Sequence, residues 1–366
     1  MSTRIKNTIL VFMTISVLFG FTIWSLLKPD NTESASERRK LAQFPTLSNE
    51  SVLNGKFMTE FEDYTLDQFP LRDCFRTIKA ATVFSIFRQK DNNDIYIKNG
   101  YASKLDYPMD DTSIQYAAER FRFIYDRYLS GKNANVYISV IPDKNYFLAQ
   151  ENGYPSIDYG QFFDCVKKYT DFAAYIDISH LLELSDYYAT DTHWRQEEIL
   201  DVAQYLAANM DVTLSAKYTT EYIETPFFGV YHGQAAMPLP ADALYYLDSP
   251  ALHECNVYDY ETNASIPVYD LDKTKGRDPY EMFLSGPKSL ITIENPQAST
   301  NKELILFRDS FGSVLAPLFV EAYRKITLVD IRYLSPNTLD RFISFGNQDV
   351  LFLYSTSVLN NSITIK

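Results

Sequence analysis

The sequence has few of the residues that build disulfide frameworks and metal centres. Its 366 residues include only three cysteines and four histidines. Cys74, Cys165 and Cys255 lie far apart and form no CxxC pair, which argues against a zinc knuckle or a thioredoxin-like site. We expect three buried thiols, and one disulfide with one free thiol is the alternative. Because HExxH, GxGxxG and P-loop motifs are absent too, we expect neither a metal nor another cofactor.

Basic charge is also scarce. Arg4, Lys6 and Lys28 are the only charged residues among the first 28, and the remaining chain carries 31 basic and 47 acidic side chains. An acidic surface repels phosphate backbones, so we expect no nucleic acid partner. Hydrophobic residues make up 46% of the chain, which is enough for a substantial core.

One long apolar run is present near the N-terminus. Ile9 to Leu27 contains 19 residues without a charge, nearly enough to cross a hydrocarbon core of about 30 Å. Arg4 and Lys6 precede it, so the positive-inside rule predicts a cytoplasmic N-terminus and an extracytoplasmic remainder. A cleaved signal peptide is the alternative. Its apolar core would be shorter and would end in an A-x-A-like site, so an uncleaved signal anchor is favoured.

These features predict a simple domain organisation. We expect one single-pass membrane protein with the following parts: cytoplasmic tail 1–8, transmembrane anchor 9–27, stalk 28–50, and a catalytic domain 51–366 in which 210–300 forms a possible insertion.

Apolar periodicity after residue 100 predicts an α/β fold. The helices are expected at 113–129, near 199–207 and at 312–323, and the strands at 135–141, 174–178, 303–307, 326–331 and 349–354. Strand–helix–strand spacing of this kind predicts a three-layer sandwich with a parallel sheet. The pattern over 210–300 is weak, and a partial helical stripe over 55–73 ends at Pro70.

The first candidate functional motif is Asp191-Thr192-His193-Trp194. Of the four histidines, only His193 has a carboxylate two residues before it and a bulky aromatic residue after it. An aspartate bonded to one ring nitrogen fixes the tautomer of a histidine base and stabilises its imidazolium form. The alternative is that Asp191 caps a helix and His193 is a surface residue.

The second candidate motif surrounds Ser310. A hydrophobic strand is predicted to end at Phe307, and a helix is predicted to begin at Gly312. A serine between them resembles a nucleophile elbow, where backbone N–H groups can stabilise an oxyanion. The alternative is a serine helix cap followed by a glycine turn. Loops at the carboxyl ends of parallel strands meet at one sheet edge, so Ser310, His193 and Asp191 are expected to form a triad.

These motifs resemble those of the DHHW proteins and of AlgX/AlgJ-type alginate O-acetyltransferases. The resemblance runs through the following blocks: Glu37-Arg38-Arg39 with Leu41-Ala42 and Phe44-Pro45, Phe61-Glu62 with Phe69-Pro70 and Arg72, Pro142-Asp143-Lys144, Asp191-Thr192-His193-Trp194, and Asp309-Ser310-Phe311-Gly312. It implies a circularly permuted SGNH-hydrolase-like fold, with Ser310 as the acylated nucleophile, His193 as the base and Asp191 as its orienting residue.

The sequence departs from the family pattern at two positions. Thr192 replaces a histidine of the DHHW signature, at a position between two triad members. Arg308 stands where a glycine usually precedes Asp-Ser, which puts the geometry of the elbow in question.

Other residues are candidates for binding substrate or oxyanion. The backbone N–H of Ser310 is the first oxyanion candidate. Arg332, Lys144 and Trp194 could contact substrate. Their alternative roles are structural: an ion pair of Arg332 with Asp330, a similar pairing of Lys144, and packing of Trp194 against His193.

The family resemblance implies an extracytoplasmic serine acyltransferase that O-acetylates a cell-surface or secreted polysaccharide. By the same resemblance, a membrane-bound O-acyltransferase would deliver the acetyl group. An esterase with the same triad is the first alternative, because access of water decides between the two. A non-catalytic module for cell-wall assembly is the second.

Overall fold

The computed structural model describes residues 3–34, 36–237 and 239–366. Met1 and Ser2 of the predicted cytoplasmic tail, Ala35 of the predicted stalk and Pro238 of the predicted insertion lie outside these residues. The chain forms two compact units. The first comprises Met1–Asn93 and His232–Pro238, and the second comprises Asp94–Tyr231 and Leu239–Lys366. The domain boundaries expected from the sequence stay a prediction.

The first unit contains a long apolar helix and several short elements. Its helices and strands are α1 (Thr3–Leu27), β1 (Glu33–Ser34), β2 (Arg39–Lys40), α2 (Asn49–Leu53), α3 (Lys56–Asp67) and α4 (Arg72–Ser85). Within the described residues, α1 is the one helix that is long and apolar enough to cross a membrane, and none of its residues is buried. That the chain crosses a membrane stays a prediction.

Ion pairs connect the charged motif residues of this unit. Glu37 forms ion pairs with Arg72 at 2.5 Å and with Arg76 at 3.2 Å, which connect the β1–β2 turn to the start of α4. Arg39 forms a two-pronged pair with Asp67 at the end of α3. The partial stripe predicted over 55–73 therefore corresponds to two helices, which separate around Pro70 because proline cannot continue the hydrogen-bonding ladder.

The second unit is built around an eight-stranded sheet. The strands of the whole unit are β3 (Ile95–Lys98), β4 (Tyr101–Lys104), β5 (Asn135–Ile141), β6 (Ala174–Tyr175), β7 (Thr219–Phe227), β8 (Asp242–Asp248), β9 (Asn256–Asp259), β10 (Ala264–Ile266), β11 (Leu290–Glu294), β12 (Glu303–Arg308), β13 (Lys325–Val329) and β14 (Asp349–Ser355). The strand order of the large sheet is β10-β9-β11-β13-β12-β14-β5-β6. The hairpins β3–β4 and β7–β8 lie outside it.

The sheet is mixed, so the expectation of a parallel sheet was only partly right. Strands β13, β12, β14, β5 and β6 pair in parallel. Strands β11, β9 and β10 extend the sheet by antiparallel pairing. These three strands come from the predicted insertion, where short strands separated by turn residues give too weak a pattern to assign from sequence.

Helices cover both faces of the sheet, which confirms the three-layer α/β fold. The remaining helices are α5 (Asp111–Ile124), α6 (Asn145–Leu148), α7 (Tyr159–Tyr169), α8 (Leu200–Asn209), α9 (Val230–Ala235), α10 (Pro250–His253), α11 (Phe311–Leu315) and α12 (Thr356–Asn360). Alternate residues of β12 enter different cores. Leu304 and Leu306 pack with the cluster that includes α8, whereas Ile305 and Phe307 pack with the cluster that includes α5.

Several predicted bounds change in the structure. Strand β5 matches its prediction, whereas the strand expected over 174–178 pairs only at Ala174–Tyr175. The helix expected over 312–323 is α-helical only to Leu315 and continues as a 3₁₀ turn, because Pro317 lacks the N–H that an α-helix needs. All three cysteines are free thiols, but Cys74 is exposed and Cys165 and Cys255 are only partly buried, so the expectation of three buried thiols was wrong.

Candidate active site

His193 lies on a tight loop between two paired residues. We call residues 187–194 the histidine loop. A β-bridge between Tyr187 and Trp194 closes it, and the Tyr188 N–H donates to the His193 carbonyl at 3.1 Å. Within the loop, Asp191 is fully buried and its Oδ1 lies 2.6 Å from His193 Nδ1. Asp191 therefore contacts His193 rather than capping a helix.

Groups distant in sequence hold the histidine loop. Asp242, at the start of β8, accepts from the Ala189 N–H at 2.7 Å and from the Thr190 N–H at 2.8 Å. The Thr190 hydroxyl donates to the same carboxylate at 2.5 Å. The Val230 N–H donates to Asp191 Oδ2 at 2.8 Å, so the second oxygen of that carboxylate is also satisfied. These bonds fix the backbone on the N-terminal side of His193.

Gly229 permits a close approach to the same loop. A Cβ at this position would lie 2.3 Å from the carbonyl carbon and oxygen of Thr190, closer than side-chain carbons approach other atoms. The Gly229 N–H donates to Thr190 Oγ1 at 2.7 Å. The segment before α9 can therefore lie directly on the histidine loop only because residue 229 is glycine.

Ser310 lies between β12 and α11, as the sequence predicted. We call residues 308–313 the serine turn. Asp309 is fully buried, and its carboxylate accepts from the Phe311 N–H at 3.0 Å and from the Ser355 N–H of β14 at 2.8 Å. Ser310 has φ −62° and ψ −25°, which is ordinary right-handed helical backbone. Its side chain makes no capping hydrogen bond to α11.

The two segments bring the three predicted catalytic residues together. His193 Nε2 lies 2.7 Å from Ser310 Oγ, across 117 residues of sequence. With His193 Nδ1 on Asp191, this forms a continuous Asp–His–Ser chain. Asp191 is fully buried, whereas Ser310 is partly exposed, so the nucleophile end of the chain faces solvent and the orienting end does not. The arrangement can move a proton from a serine hydroxyl to a histidine.

Trp194 aligns the histidine loop with the helix that follows Ser310. Its indole N–H donates to the Phe311 carbonyl at 3.2 Å, and its ring packs edge-on against Phe311. The nearby Gln196 donates to the Val314 carbonyl at 2.8 Å. Trp194 is 0% exposed, so its ring is inaccessible for stacking on a sugar. The sequence left two roles open for Trp194, stacking on a sugar ring and packing, and its buried position agrees with packing.

Tyr280 packs directly on the imidazole of His193. The two rings are stacked, with centroids 4.0 Å apart and planes 15° from parallel. Burial raises the pKa of Tyr280 well above its usual value, so the phenol stays neutral. Sequence analysis did not identify Tyr280, Asp242 or Gln196, because all three make their contacts through tertiary packing and none belongs to a recognised motif.

Lys144 is buried beneath the histidine loop. Its ammonium donates to the Tyr188 carbonyl at 2.9 Å and to the Ala189 carbonyl at 3.3 Å, and it lies over the ring of Tyr231. Burial lowers the pKa of Lys144 to about 7, and the negative charge of Asp191 partly opposes that shift. At 2% exposure, Lys144 supports the loop rather than presenting a charge to substrate.

Arg332 forms the ion pair considered as its alternative role. Its guanidinium bonds to both carboxylate oxygens of Asp330, at 2.9 and 2.7 Å. Arg308 lies 3.7 Å from the same carboxylate and is almost fully buried, and burial lowers its pKa. Gly312 leaves room for Arg308, because a Cβ there would lie 2.6 Å from the Arg308 Cβ. The unusual arginine before Asp309-Ser310 is therefore accommodated within the core.

Comparison with known proteins supports this fold. No family model matches the sequence, and no curated protein matches it. Among solved structures, a DHHW family protein from Eubacterium siraeum is 20% identical with a TM-score of 0.60, over 75% of this chain and 95% of that one. The chain has the fold of a DHHW protein. The expectation that its motifs gave for the fold is thereby confirmed.

Two further structures are similar at greater distance. Bacillus cereus PatB1, with a sulfonyl adduct, is 17% identical with a TM-score of 0.56, over 73% of this chain and 97% of that one. The O-acetyltransferase domain of Pseudomonas putida AlgJ is 12% identical with a TM-score of 0.45, over 73% of this chain and 92% of that one.

Within the described residues, no group of three or more His, Cys, Asp and Glu side chains could hold a metal ion.

Proposed function

We propose that this chain is an extracytoplasmic serine O-acyltransferase that acetylates a polysaccharide through an acetyl-Ser310 intermediate. The observation that carries the proposal is the pair of short contacts from His193, at 2.7 Å to Ser310 and 2.6 Å to Asp191. A buried carboxylate, an imidazole and a partly exposed hydroxyl in this order are the components of acyl transfer by a serine nucleophile. The motif resemblance to polysaccharide O-acetyltransferases supports the acceptor class.

In the first step, the Ser310 hydroxyl oxygen attacks the carbonyl carbon of an acetyl donor. Its proton passes to His193 Nε2, and Asp191 stabilises the imidazolium that forms. The Ser310 N–H is the proposed donor to the oxyanion. When the carbonyl re-forms, the bond to the leaving group breaks, and His193 returns the proton to that group. Acetyl-Ser310 remains.

In the second step, a sugar hydroxyl is the nucleophile, where an esterase would use water. His193 takes its proton as the sugar oxygen attacks the acetyl carbon, and the collapsing intermediate releases Ser310, which regains the proton. Tyr280 and Trp194 hold the imidazole and its loop in place, so His193 can serve as base in both steps without changing position.

The proposed location follows from α1. With the N-terminus in the cytoplasm, the second unit would lie on the extracytoplasmic side of the membrane, where there is no pool of acetyl-coenzyme A. A membrane-bound O-acyltransferase is therefore the proposed source of the acetyl group, and a cell-surface or secreted polysaccharide is the proposed acceptor.

The test is hydrolysis and transfer by the full-length protein in detergent micelles. Release of p-nitrophenol from its acetyl ester is measured for wild type, Ser310→Ala and His193→Ala. We expect kcat/KM to fall by at least about 10³-fold in both variants. Ser335→Ala and His253→Ala are matched controls, since both residues lie outside the triad and His253 contacts Asp248 at the surface. Equal rates for wild type and Ser310→Ala would contradict the serine mechanism.

A sugar oligomer added to the same reaction tests the acceptor. Mass spectrometry should find a gain of one acetyl group on the oligomer with wild type and none with Ser310→Ala. Hydrolysis without this gain, followed by loss of acetyl groups from a pre-acetylated oligomer, would favour the esterase. Absence of both activities in a folded protein would favour the non-catalytic assembly module.

A further inference from the structure

The helix α4 presents an apolar stripe to solvent. Leu71, Phe75, Ile78 and Ile86 are 43–70% exposed, and their spacings of four, three and eight residues put them on one side of the helix and its two flanking residues. Ala80, on the opposite side, is fully buried. Phe87, just beyond the end of the helix, is 67% exposed. An apolar face of this kind normally faces another apolar phase.

The stripe is continuous with the apolar surface of α1. Phe21 of α1 stacks on Phe69 at 5.4 Å and contacts Phe75 edge-on at 5.8 Å, measured between ring centroids. Phe21 lies six residues before the end of α1, which is about 9 Å along the helix axis. If α1 crosses a bilayer, Phe75 lies at a similar depth. This is the boundary between head groups and acyl chains, where amphipathic helices lie.

The charge of this segment differs from that of the rest of the chain. Residues 72–90 contain five basic side chains and one acidic side chain, whereas the whole protein has a net charge of −13. Lys79, Arg88 and Lys90 are all exposed. Basic residues beside an apolar stripe complement anionic phospholipid head groups. An acidic protein surface would otherwise be repelled by such a membrane.

We infer that α4 lies in the interface of an anionic phospholipid bilayer, with the stripe Leu71–Phe75–Ile78–Ile86 in the acyl region and Lys79, Arg88 and Lys90 at the head groups. This placement rests on the proposed membrane anchor and adds a second, peripheral attachment to it. A groove beside α1 in this unit has a volume of about 910 Å³ and is lined mostly by apolar residues such as Phe21, Phe61 and Phe69, with Lys28 and Asp30 just beyond the end of α1. Lipid acyl chains fill it in this arrangement.

The consequence is a restricted orientation for the first unit. A single transmembrane helix lets the attached chain rotate and tilt, whereas a second contact on α4 holds the first unit against the bilayer surface. A partner membrane protein could cover the same stripe instead. In that case, the stripe would stay in water when this protein is the only one in the membrane.

The test places a fluorophore on α4 in full-length protein reconstituted into liposomes. The three cysteines are replaced by serine, and an NBD label is attached to Ile78→Cys on the stripe or to Thr77→Cys on another face of the same helix. The vesicles contain about seven parts phosphatidylcholine to three parts phosphatidylglycerol. Brominated acyl chains quench a label only if it enters the bilayer. We expect the label at 78 to be quenched at least about three-fold more than the label at 77.

Tryptophan emission separates failure of the anchor from failure of the interfacial contact. The chain has two tryptophans, and Trp194 is fully buried, so quenching by brominated lipid reports Trp24 of α1. Quenching of Trp24 with equal quenching at 77 and 78 would overturn the placement of α4 while leaving the anchor. An unquenched Trp24 would overturn both.

Lipid charge provides the second arm of the test. Omitting phosphatidylglycerol should reduce the quenching at 78, as should Arg88→Gln combined with Lys90→Gln. We expect the double variant to lose at least about half of the quenching that the anionic lipid adds. Lys167→Gln with Lys168→Gln, two exposed lysines of α7, is the matched control and should lose none. Equal quenching in all of these samples would exclude the role of charge.

Discussion

The histidine loop and the serine turn both carry residues of the Asp–His–Ser chain, but different contacts hold the two segments. The serine turn is fixed by its own strand and helix and by Asp309, which bonds to the next turn and to the end of neighbouring β14. The histidine loop contains no regular helix or strand. Its position depends on Asp242, Val230 and Lys144, which come from other parts of the chain. Ser310 is therefore placed mainly by its own strand and helix, with one bond to β14, whereas His193 is placed by contacts from several distant segments.

The first way to test this comparison is to remove the charge of Asp191. Asp191→Asn keeps the size of the side chain, but its amide cannot stabilise the imidazolium and can select the wrong tautomer. We expect kcat/KM for p-nitrophenyl acetate to fall by about 10³- to 10⁴-fold. Asp201→Asn, at an exposed position of α8, is the control and should retain wild-type activity. A fall of less than ten-fold would mean that Asp191 does not orient the base.

The second test breaks a support of the histidine loop without touching the triad. Asp242→Asn replaces one acceptor oxygen by an amide that cannot accept from the Ala189 or Thr190 N–H. We expect kcat to fall by about 10- to 100-fold with little change in KM, because a small displacement of His193 affects the chemical step.

Two measurements distinguish this positioning role from general destabilisation. The rate at which a sulfonyl fluoride modifies Ser310 should fall in parallel with kcat, at a temperature where the variant is fully folded. Asp248→Asn, at the other end of β8, is the matched control. An unchanged modification rate in Asp242→Asn would show that the loop does not need this carboxylate.

The third test perturbs the serine turn. Arg308→Met keeps most of the buried volume but removes a charge that lies 3.7 Å from Asp330, and Asp330 retains Arg332 as its partner. We expect the free energy of unfolding to fall by about 1–3 kcal/mol and kcat/KM to change by less than about ten-fold.

The measurements are thermal denaturation and esterase kinetics, with exposed Arg341→Met as the control. A loss of activity above 100-fold in folded Arg308→Met would show that the serine turn depends on the tertiary contact of Arg308 with Asp330. The contrast between the two segments would then disappear.

The smallest effect is expected on the pH dependence of stability, to which the protonation of Lys144 contributes. Its pKa is about 7 in the folded protein, against about 10.4 in an unfolded chain. The unfolded chain therefore binds more protons between these values, so this group makes stability rise with pH across that window. Lys144→Met cannot exchange the proton. We expect the wild-type Tm minus the variant Tm to increase from pH 7 to pH 9, and the same difference for exposed Lys168→Met to stay constant.

Sequence alone determined much of the regular structure. Apolar runs of strand length located β5, β12 and β14, because a strand buried on both faces of a sheet has a nearly continuous apolar sequence, which is a local property. The short strands β9 to β11 were missed, since their addition to the sheet depends on pairing with distant residues. The same limit explains why the sequence predicted only the parallel part of the mixed sheet.

The candidate site divides in the same way. The motifs at 191–194 and 309–312 identified His193, Asp191 and Ser310 as candidate catalytic residues. A carboxylate near a histidine, and a serine between a strand and a helix, are both visible in the sequence. Only the tertiary structure brought His193 within 2.7 Å of Ser310 across 117 residues. It also decided that Trp194 and Lys144 are buried supports, and it added Asp242 and Tyr280. Hydrogen bonds and ring contacts between distant segments depend on how the sheet and its loops pack, and no local pattern encodes them.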